Sequence, residues 1–473
     1  MVTGDWTGWQ LLAVVQHELL LFAGVFFLLG ALDDFAVDAV WLWLKARGKA
    51  ETLRVDRESL RTRPLGAPVA VFIPAWDEAS VLASTLSHML RAWPHDTLTV
   101  FVGVYPNDPA TLAAARVGAG DDPRVRITVL PVPGPTTKAD CLNALYLSLK
   151  EDERASGRRF AAIAFQDAED MVDRGALGLI DREIAAGADF VQLPVEPVPQ
   201  SGRRWLGSHY CEEFVEAHGK AMVVRGALGA ALPAAGVGCA TGCDMLEALC
   251  RQRDEPVPFE PQSLTEDYEL GLAVGALGGT GRFVRAKGED GRLIATRAYF
   301  PSSLAAIVRQ KTRWIHGIAL QGWDRTGWSA GPAETWMRLR DRRGPLVALV
   351  FLAGYVLLAL TLLSWGASAV GLVEPTPLSP FLAAILMANL AFFAWRVAWR
   401  FAFTARVYGI AEGLRAVLRI PVANVIAIMA GWRALAAYVR TLAGRAIEWD
   451  KTAHDRHPAN ATERRLEAKE VGT

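Results

Sequence analysis

Three stretches without a single Asp, Glu, Lys or Arg, at residues 19–32, 345–373 and 375–395, constrain this chain most. The last two are each long enough to cross a hydrocarbon core as helices, which takes roughly 20 apolar residues. The first is short alone and reaches that length when residues 11–15 join it across His17 and Glu18. No basic segment precedes it and no Ala-x-Ala end closes it, so it reads as a spanning helix rather than a cleaved leader. Between the first and second stretches lies a long hydrophilic block. Lys45, Arg47 and Lys49 flank its start and Arg338, Arg340, Arg342 and Arg343 its end. Arg396, Arg400, Arg406, Arg415 and Arg419 follow the third stretch, opposed only by Glu412. The N-terminal ten residues and the link around Glu374 lack Lys and Arg. This bias predicts an outside N-terminus, an inside domain and a tight hairpin.

The expected division is 1–44 for the first span and its flank, 45–344 for a cytoplasmic domain and 345–396 for a transmembrane hairpin. Interfacial amphipathic helices follow at 397–445, with a cytoplasmic tail at 446–473. Residues 421–439 are apolar but hold Arg433, and they read as interfacial in preference to a fourth span. Fifty basic against fifty acidic residues leave no net charge, which gives no footing for a nucleic-acid partner. Five cysteines without CxxC spacing read as buried thiols rather than a disulfide frame or a zinc site. A P-loop ATPase is excluded, since no Gly-x-x-x-x-Gly-Lys-Ser/Thr occurs.

Within the block, apolar runs at 68–73, 98–105, 125–130 and 160–165 alternate with helical patterns at 82–93 and 140–149. That alternation predicts an α/β domain with a mainly parallel sheet covered on both faces. Ligands in such folds bind beyond the carboxyl ends of the strands. Four acidic spots fall in or near such positions: Pro74 to Glu78 with Asp77, Asn107-Asp108, Asp167 with Glu169 and Asp170, and Thr265-Glu266-Asp267. Asp and Asn also suit turns and helix caps, a reading that stands beside the functional one for Asp77 and Asp108. It is weaker for the Asp167 group. Three carboxylates at one strand mouth repel one another, and a hard divalent cation with a diphosphate would relieve them.

The order of these motifs resembles the processive family 2 glycosyltransferases, the group that includes cellulose and hyaluronan synthases. Gln310-Lys311-Thr312-Arg313-Trp314 matches that family's Gln-x-x-Arg-Trp, just ahead of the second apolar stretch. Thr265-Glu266-Asp267 matches its Thr-Glu-Asp, and Asp167-Ala168-Glu169 stands where it has Asp-x-Asp. Lys138-Ala139-Asp140 with Asn143 matches a segment that borders the nucleotide. The resemblance implies a GT-A domain, a Rossmann-like mixed sheet set between transmembrane helices, in a bacterial inner membrane. It implies inverting transfer, with Asp267 as general base, Glu266 beside it and Asp244 as the second choice. Asp167 and Glu169 would hold Mg²⁺ or Mn²⁺. Pro74, Asp77, Glu78, Asp108, Lys138 and Asp140 would border the nucleotide, with Gln310 and Arg313 toward the phosphates and Trp314 under a sugar ring. Trp314 also suits an interfacial anchor, and Asp267 a helix-start carboxylate. Glu169 departs from the family's aspartate.

The segments QHELLLFAGVFFLLGALDDFAVD, FQDAEDMV and EWDKTAH resemble a cyclic-di-GMP-dependent branch that polymerises N-acetylmannosamine from its UDP-sugar. That likeness implies a UDP-linked donor, a growing exopolysaccharide acceptor and cyclic-di-GMP as activator. The regulatory domain of such proteins follows the region where this chain ends. Three spans are few for a glycan tunnel, which implies an envelope export partner or an oligomer. A non-processive transferase acting on a lipid-linked or short acceptor is the alternative, and a non-catalytic phage receptor or envelope scaffold is a third. His209, Glu212, Glu213 and Glu216 fit either an acceptor surface or a solvated helix face. Residues 236–244, ending in Gly242-Cys243-Asp244, stand where the family contacts acceptor sugar.

Overall fold

The computed structural model describes residues 7–200, 204–328, 331–374, 377–444 and 457–459. The EWDKTAH motif and most of the expected tail lie outside the described residues.

Helix α1 (Gly8–Ala46) starts at a capping box, in which Thr7 and Gln10 each bond the other's backbone N–H. It continues well past the apolar stretch, through Asp33, Asp34 and Asp38. The domain then alternates strand and helix as expected: β1 (Val69–Pro74), α2 (Leu82–Ala92), β2 (Leu98–Val104), α3 (Pro109–Ala119), β3 (Val125–Val129), α4 (Lys138–Ser156) and β4 (Ala162–Phe165). After these come β5 (Phe190–Gln192), α5 (His209–Glu216), β6 (Cys239–Gly242), α6 (Cys243–Arg253), α7 (Glu266–Ala276), β7 (Gly281–Phe283) and α8 (Leu304–Trp314). Helices α9 (Gly344–Ala369), α10 (Pro380–Tyr408), α11 (Ile410–Leu418) and α12 (Ile420–Leu442) complete the fold.

The seven strands form one sheet in the order β3-β2-β1-β4-β6-β5-β7. Neighbours are parallel except at β6, which runs antiparallel to both β4 and β5. This is the mixed Rossmann-like sheet of the GT-A fold. Val69 to Ile73 are all buried, as helices on both faces require of a central parallel strand. Phe72 meets Phe101 and Phe165 edge-on at 5.8 and 6.1 Å, and Phe101 in turn meets Phe160 at 6.0 Å. Truncating Phe72 to Ala would cost about 3–5 kcal/mol through lost burial and the cavity left behind.

Four described helices, α1, α9, α10 and α12, are long and apolar enough to cross a membrane. That is one more than the sequence reading counted, because α12 carries only Arg433 and Arg440 along its apolar length. Contacts of α12 with the domain run along the helix. Ile426 is buried against Tyr210, Ile307 and Val308, Thr312 reaches the Ala430 carbonyl at 3.5 Å, and Tyr438 donates to Asp324 at 2.8 Å. The expected hairpin also runs longer, since α10 ends at Tyr408, where Gly409 (φ 90°) takes a backbone conformation that favours glycine.

An ion-pair network joins the apolar helices to the domain. Asp34 of α1 lies 2.8 Å from Arg343 and 2.9 Å from Arg340. Arg396 of α10 pairs with Glu216 of α5 at 2.7 Å, and Asp38 pairs with Lys220. Arg419, whose side chain has no exposed surface, bridges Glu212 and Glu412 at 2.7 Å each. Glu213 pairs with Lys311. Glu212 and Glu216 of α5 are therefore bound to membrane-helix cations and Glu213 to Lys311 of α8, while the Glu213 side chain stays 43% exposed.

Candidate active site

The site forms at the carboxyl ends of β1 and β4, where the chain turns from apolar strand to polar loop. One cleft is lined by Pro74, Glu78, Lys138, Asp167, Glu169, Glu266, Asp267, Gln310, Arg313 and Trp314. These residues come from five separate segments, and the sheet brings them together.

At the mouth of β4, the Asp167 N–H donates to Asp170 Oδ2 at 2.7 Å, which makes a tight turn. The Thr85 hydroxyl donates to the Ala168 carbonyl and clamps that turn against α2. Lys138, at the first turn of α4, places Nζ 2.5 Å from Asp167 Oδ1 and 4.0 Å from Glu266 Oε1. Burial opposes the Lys138 charge, but Asp167, Glu266 and Asp267 outweigh it and hold the ammonium well above its ordinary range.

The carboxylates around it show the opposite imbalance. Burial, then the charges of Asp167 and Glu169, push Asp170 well above the usual carboxyl range. Burial and then Asp267 raise Glu266 to about 7. Burial also raises Asp267, with Lys138 and Arg313 pulling against it. Asp267 sits in the first turn of α7 and accepts from the Tyr268 N–H at 2.7 Å, so it is a helix-start carboxylate and a cleft-lining group at once. Gly236 (φ 78°) passes so close that a Cβ there would collide with Asp267 Oδ2. Only glycine fits both that backbone and that approach.

On the membrane side, Gln310, Arg313 and Trp314 descend from α8. Gln310 is buried with its amide oxygen unpartnered among the described residues. Trp314 packs edge-on to Tyr210 at 5.9 Å and lies under the Lys311 ammonium at 5.7 Å. It lines the cleft.

Four expected site residues are not among the cleft's lining. Asp108 caps α3, accepting from Thr111 N–H at 3.1 Å, and also holds the Asp77 N–H at 2.6 Å. Asp77 itself is exposed, at positive φ (54°). Asp140 completes a capping box with Thr137 at 3.1 and 3.2 Å. All three shape the loops that border the cleft. Asp244 lies elsewhere: its side chain is 91% exposed and pairs with Arg159 at 3.0 Å. The reason is the direction of β6. Cys239 stands beside Phe165 at the cleft edge of the sheet, whereas Gly242 stands beside Ala162 at the far edge. The loop that reaches the cleft is therefore the one before β6, at Ala235 and Val237.

Several lining residues carried no functional signal in the sequence. Trp76 and Tyr105 meet edge-on at 5.0 Å, and the Tyr105 hydroxyl lies 2.7 Å from Thr136. Phe300 packs on Tyr210 and Phe214 at 4.7 and 5.0 Å. Each reads as core until the fold is known. His457 places Nε2 3.1 Å from the Asp170 carbonyl, behind the acidic turn.

A divalent cation would have to fit the Asp167 group. No three His, Cys, Asp or Glu side chains converge in metal-ligating geometry among the described residues. Mg²⁺ or Mn²⁺ carried with a diphosphate is held by one or two carboxylates plus phosphate oxygens and water. Asp167 and Glu169 supply two hard oxygen donors, beside an Asp170 that burial first and their charges second push above the usual carboxyl range.

Comparison with known proteins shows the family. Residues 67–317 match the model of Glycosyltransferase like family 2. Bacteriophage adsorption protein B of Escherichia coli (strain K12) is 34% identical over 455 residues, covering 91% of this chain and 61% of that protein. Bacteriophage N4 adsorption protein B of Escherichia coli O157:H7 matches to the same extent. The chain thus spans about three fifths of the length of the curated relatives it matches. Among solved structures, the mannosyltransferase PcManGT from Pyrobaculum calidifontis, in complex with GDP-Man and Mn²⁺, is 16% identical. The match covers 83% of this chain and 97% of that one at a TM-score of 0.48. Glucosyl-3-phosphoglycerate synthase from Mycobacterium tuberculosis, with Mg²⁺ and UDP, is 18% identical over 58% of this chain and 87% of that one, at a TM-score of 0.35. With its sheet, its cleft and its family match in agreement, the chain belongs to glycosyltransferase family 2.

Proposed function

We propose that this enzyme transfers a sugar from a nucleotide-sugar to a growing glycan at the cytoplasmic face of a bacterial inner membrane, with inversion at the anomeric carbon. The observation that carries the reading is Asp267. It is a half-buried carboxylate that lines the cleft with Asp167 and Lys138, with Arg313 and Trp314 closing the membrane side. An acceptor hydroxyl attacks the anomeric carbon, Asp267 takes its proton, and the bond to the diphosphate breaks. Lys138 and Arg313 face the charge that develops on the leaving group. Asp167 and Glu169 would hold Mg²⁺ or Mn²⁺, which when bound supplies neutralisation of the diphosphate. Trp314 and Phe300 offer flat faces to acceptor rings.

The donor we infer is UDP-N-acetylmannosamine and the product an exopolysaccharide, on the likeness to adsorption protein B. The topology we infer places α12 against the domain, since its contacts run from Ile426 to Tyr438 and His457 beyond it meets Asp170. The catalytic domain and the segment after α12 then share the cytoplasmic side.

The test is release of nucleoside diphosphate by the purified membrane protein, given a panel of UDP-sugars with Mg²⁺ or Mn²⁺, with and without cyclic-di-GMP. Product length is read by mass spectrometry. Release with UDP-N-acetylmannosamine and a ladder of products supports the reading. Single additions support a non-processive transferase, and release with another donor alone refutes the sugar.

A further inference from the structure

A second cavity, of about 440 Å³, opens where α1 and α10 meet the domain. It backs onto the transfer cleft, and the two share a wall at Val195 and Phe214. Its size is that of a small-molecule site rather than a packing gap.

Its chemistry is one-sided. Lys45 comes from α1, Arg406 from α10, and Arg285 and Lys287 from the domain edge that pairs with Leu53–Arg54. None of the four has a carboxylate in ion-pair reach among the described residues. Arg285 donates instead to the His218 carbonyl, and Lys45 to the Ala50 carbonyl at 3.5 Å. Arg292 and Arg297 also line the cavity. The two acids on its wall are already paired, Glu196 with Arg297 of the same wall at 2.9 Å and Asp290 with Arg57 at 2.8 Å. His218 adds no charge, because burial lowers it to about 4 while its Nδ1 accepts from the Val195 N–H at 2.9 Å.

The cations also press on one another. Burial and then Arg406 lower Arg285 to about 10, and burial, Arg406, Arg285, Arg54 and Lys45 lower Lys287. Such mutual repulsion is costly unless an anion relieves it. The apolar side of the cavity is aromatic. Trp41 meets Phe403 edge-on at 5.6 Å and donates to the Gly219 carbonyl at 3.1 Å. Tyr408 donates to the Pro197 carbonyl at 2.7 Å. The cavity thus lies at the domain ends of two apolar helices, where aromatic and basic residues meet lipid headgroups.

We propose that this cavity binds a phosphate-bearing anion at the membrane surface, through Lys45, Arg285, Lys287 and Arg406. Its source is either the headgroup of an acidic phospholipid or a free cytosolic phosphate. Each cation near such a surface contributes roughly fivefold in affinity, so losing two costs on the order of 20-fold.

The test uses the full chain and the double variant Lys287→Gln/Arg406→Gln. Arg406 is exposed and Lys287 is half-buried, so neither holds the core. Native mass spectrometry reads retention of phosphatidylglycerol against phosphatidylcholine. Thermal melts with inorganic phosphate in neutral detergent read the soluble arm. A melt without added anion shows that the variant is folded, and Arg285→Lys, which keeps the charge, gives a second comparison. Preference for phosphatidylglycerol that falls about 20-fold in the double variant supports a lipid headgroup. A phosphate-dependent rise in melting temperature that the double variant alone loses supports a soluble phosphate. If the folded double variant retains phosphatidylglycerol and responds to phosphate as the wild type does, the proposal is overturned.

Discussion

Two acidic clusters lie in this molecule, and they differ in how their charge is met. At the membrane-facing side, Asp33, Asp34, Asp38, Glu212 and Glu216 face Lys220, Arg340, Arg343, Arg396, Arg400 and Arg419 in close pairs. In the cleft, Asp167, Asp170, Glu266 and Asp267 lie around Lys138, which is 2.5 Å from Asp167 and 4.0 Å from Glu266, with Arg313 nearby. The balanced cluster fastens helices to a domain. The cleft cluster is the less evenly paired of the two among the described residues. The two clusters are told apart by how closely their charges are paired among the described residues, and the one we propose as the transfer site is the less evenly paired.

The comparison is sharpened first where one partner of a buried pair is removed. Arg419→Ala leaves Glu212 and Glu412 uncompensated and is expected to cost about 3–5 kcal/mol of stability. A melt in detergent measures this, and turnover per folded molecule at low temperature should be little changed. Asp167→Asn removes charge from the overcrowded cluster, so the ligand-free protein should shift by less than about 1 kcal/mol. The same variant should lose the stabilisation by UDP with Mn²⁺, which for a single site at a hundredfold excess over Kd is about 2.7 kcal/mol. If Asp167→Asn destabilises the free protein as much as Arg419→Ala does, the contrast between the clusters fails.

Acidity offers a subtler probe. Glu266 binds its proton more tightly in the folded chain, at about 7 against an ordinary 4.5. Its stabilising contribution is therefore full below about pH 4.5 and is lost as the pH rises through about 7. Ligand-free protein should lose stability across that window, by about 3 kcal/mol at most from this group. Glu266→Gln should flatten the curve, and calorimetry at stepped pH checks it. The smallest effect belongs to the loops. Thr137→Ala removes half of the capping box beneath Lys138 and should cost about 1 kcal/mol with a modest rise in donor KM.

What could be read from sequence follows from how local the signal is. Strands β1, β2 and β4 are continuous apolar runs, and the acids at their ends announce themselves beside them. The capping roles of Asp108 and Asp140 are local too, the first before a helix-starting proline and the second three residues after Thr137. The direction of β6 is not local. Four residues, CATG, carry no periodicity, and only pairing with β4 shows that Asp244 falls on the far edge. The partners of Glu212, and Arg396 opposite Glu216, lie about 180 to 200 residues away, and only the Lys220–Glu216 pair at i,i+4 is local. Helix α12 passes the length and hydropathy of a span, and only its contacts along the domain speak for another placement.

The most direct test sets two carboxylates side by side. Asp267→Asn and Asp244→Asn are measured for nucleoside diphosphate release under the same donor and metal. If the unbalanced cleft is the transfer site, Asp267→Asn falls by at least about 100-fold while Asp244→Asn stays within about twofold of wild type. Retained turnover in Asp267→Asn, or its loss in a folded Asp244→Asn, would contradict the account.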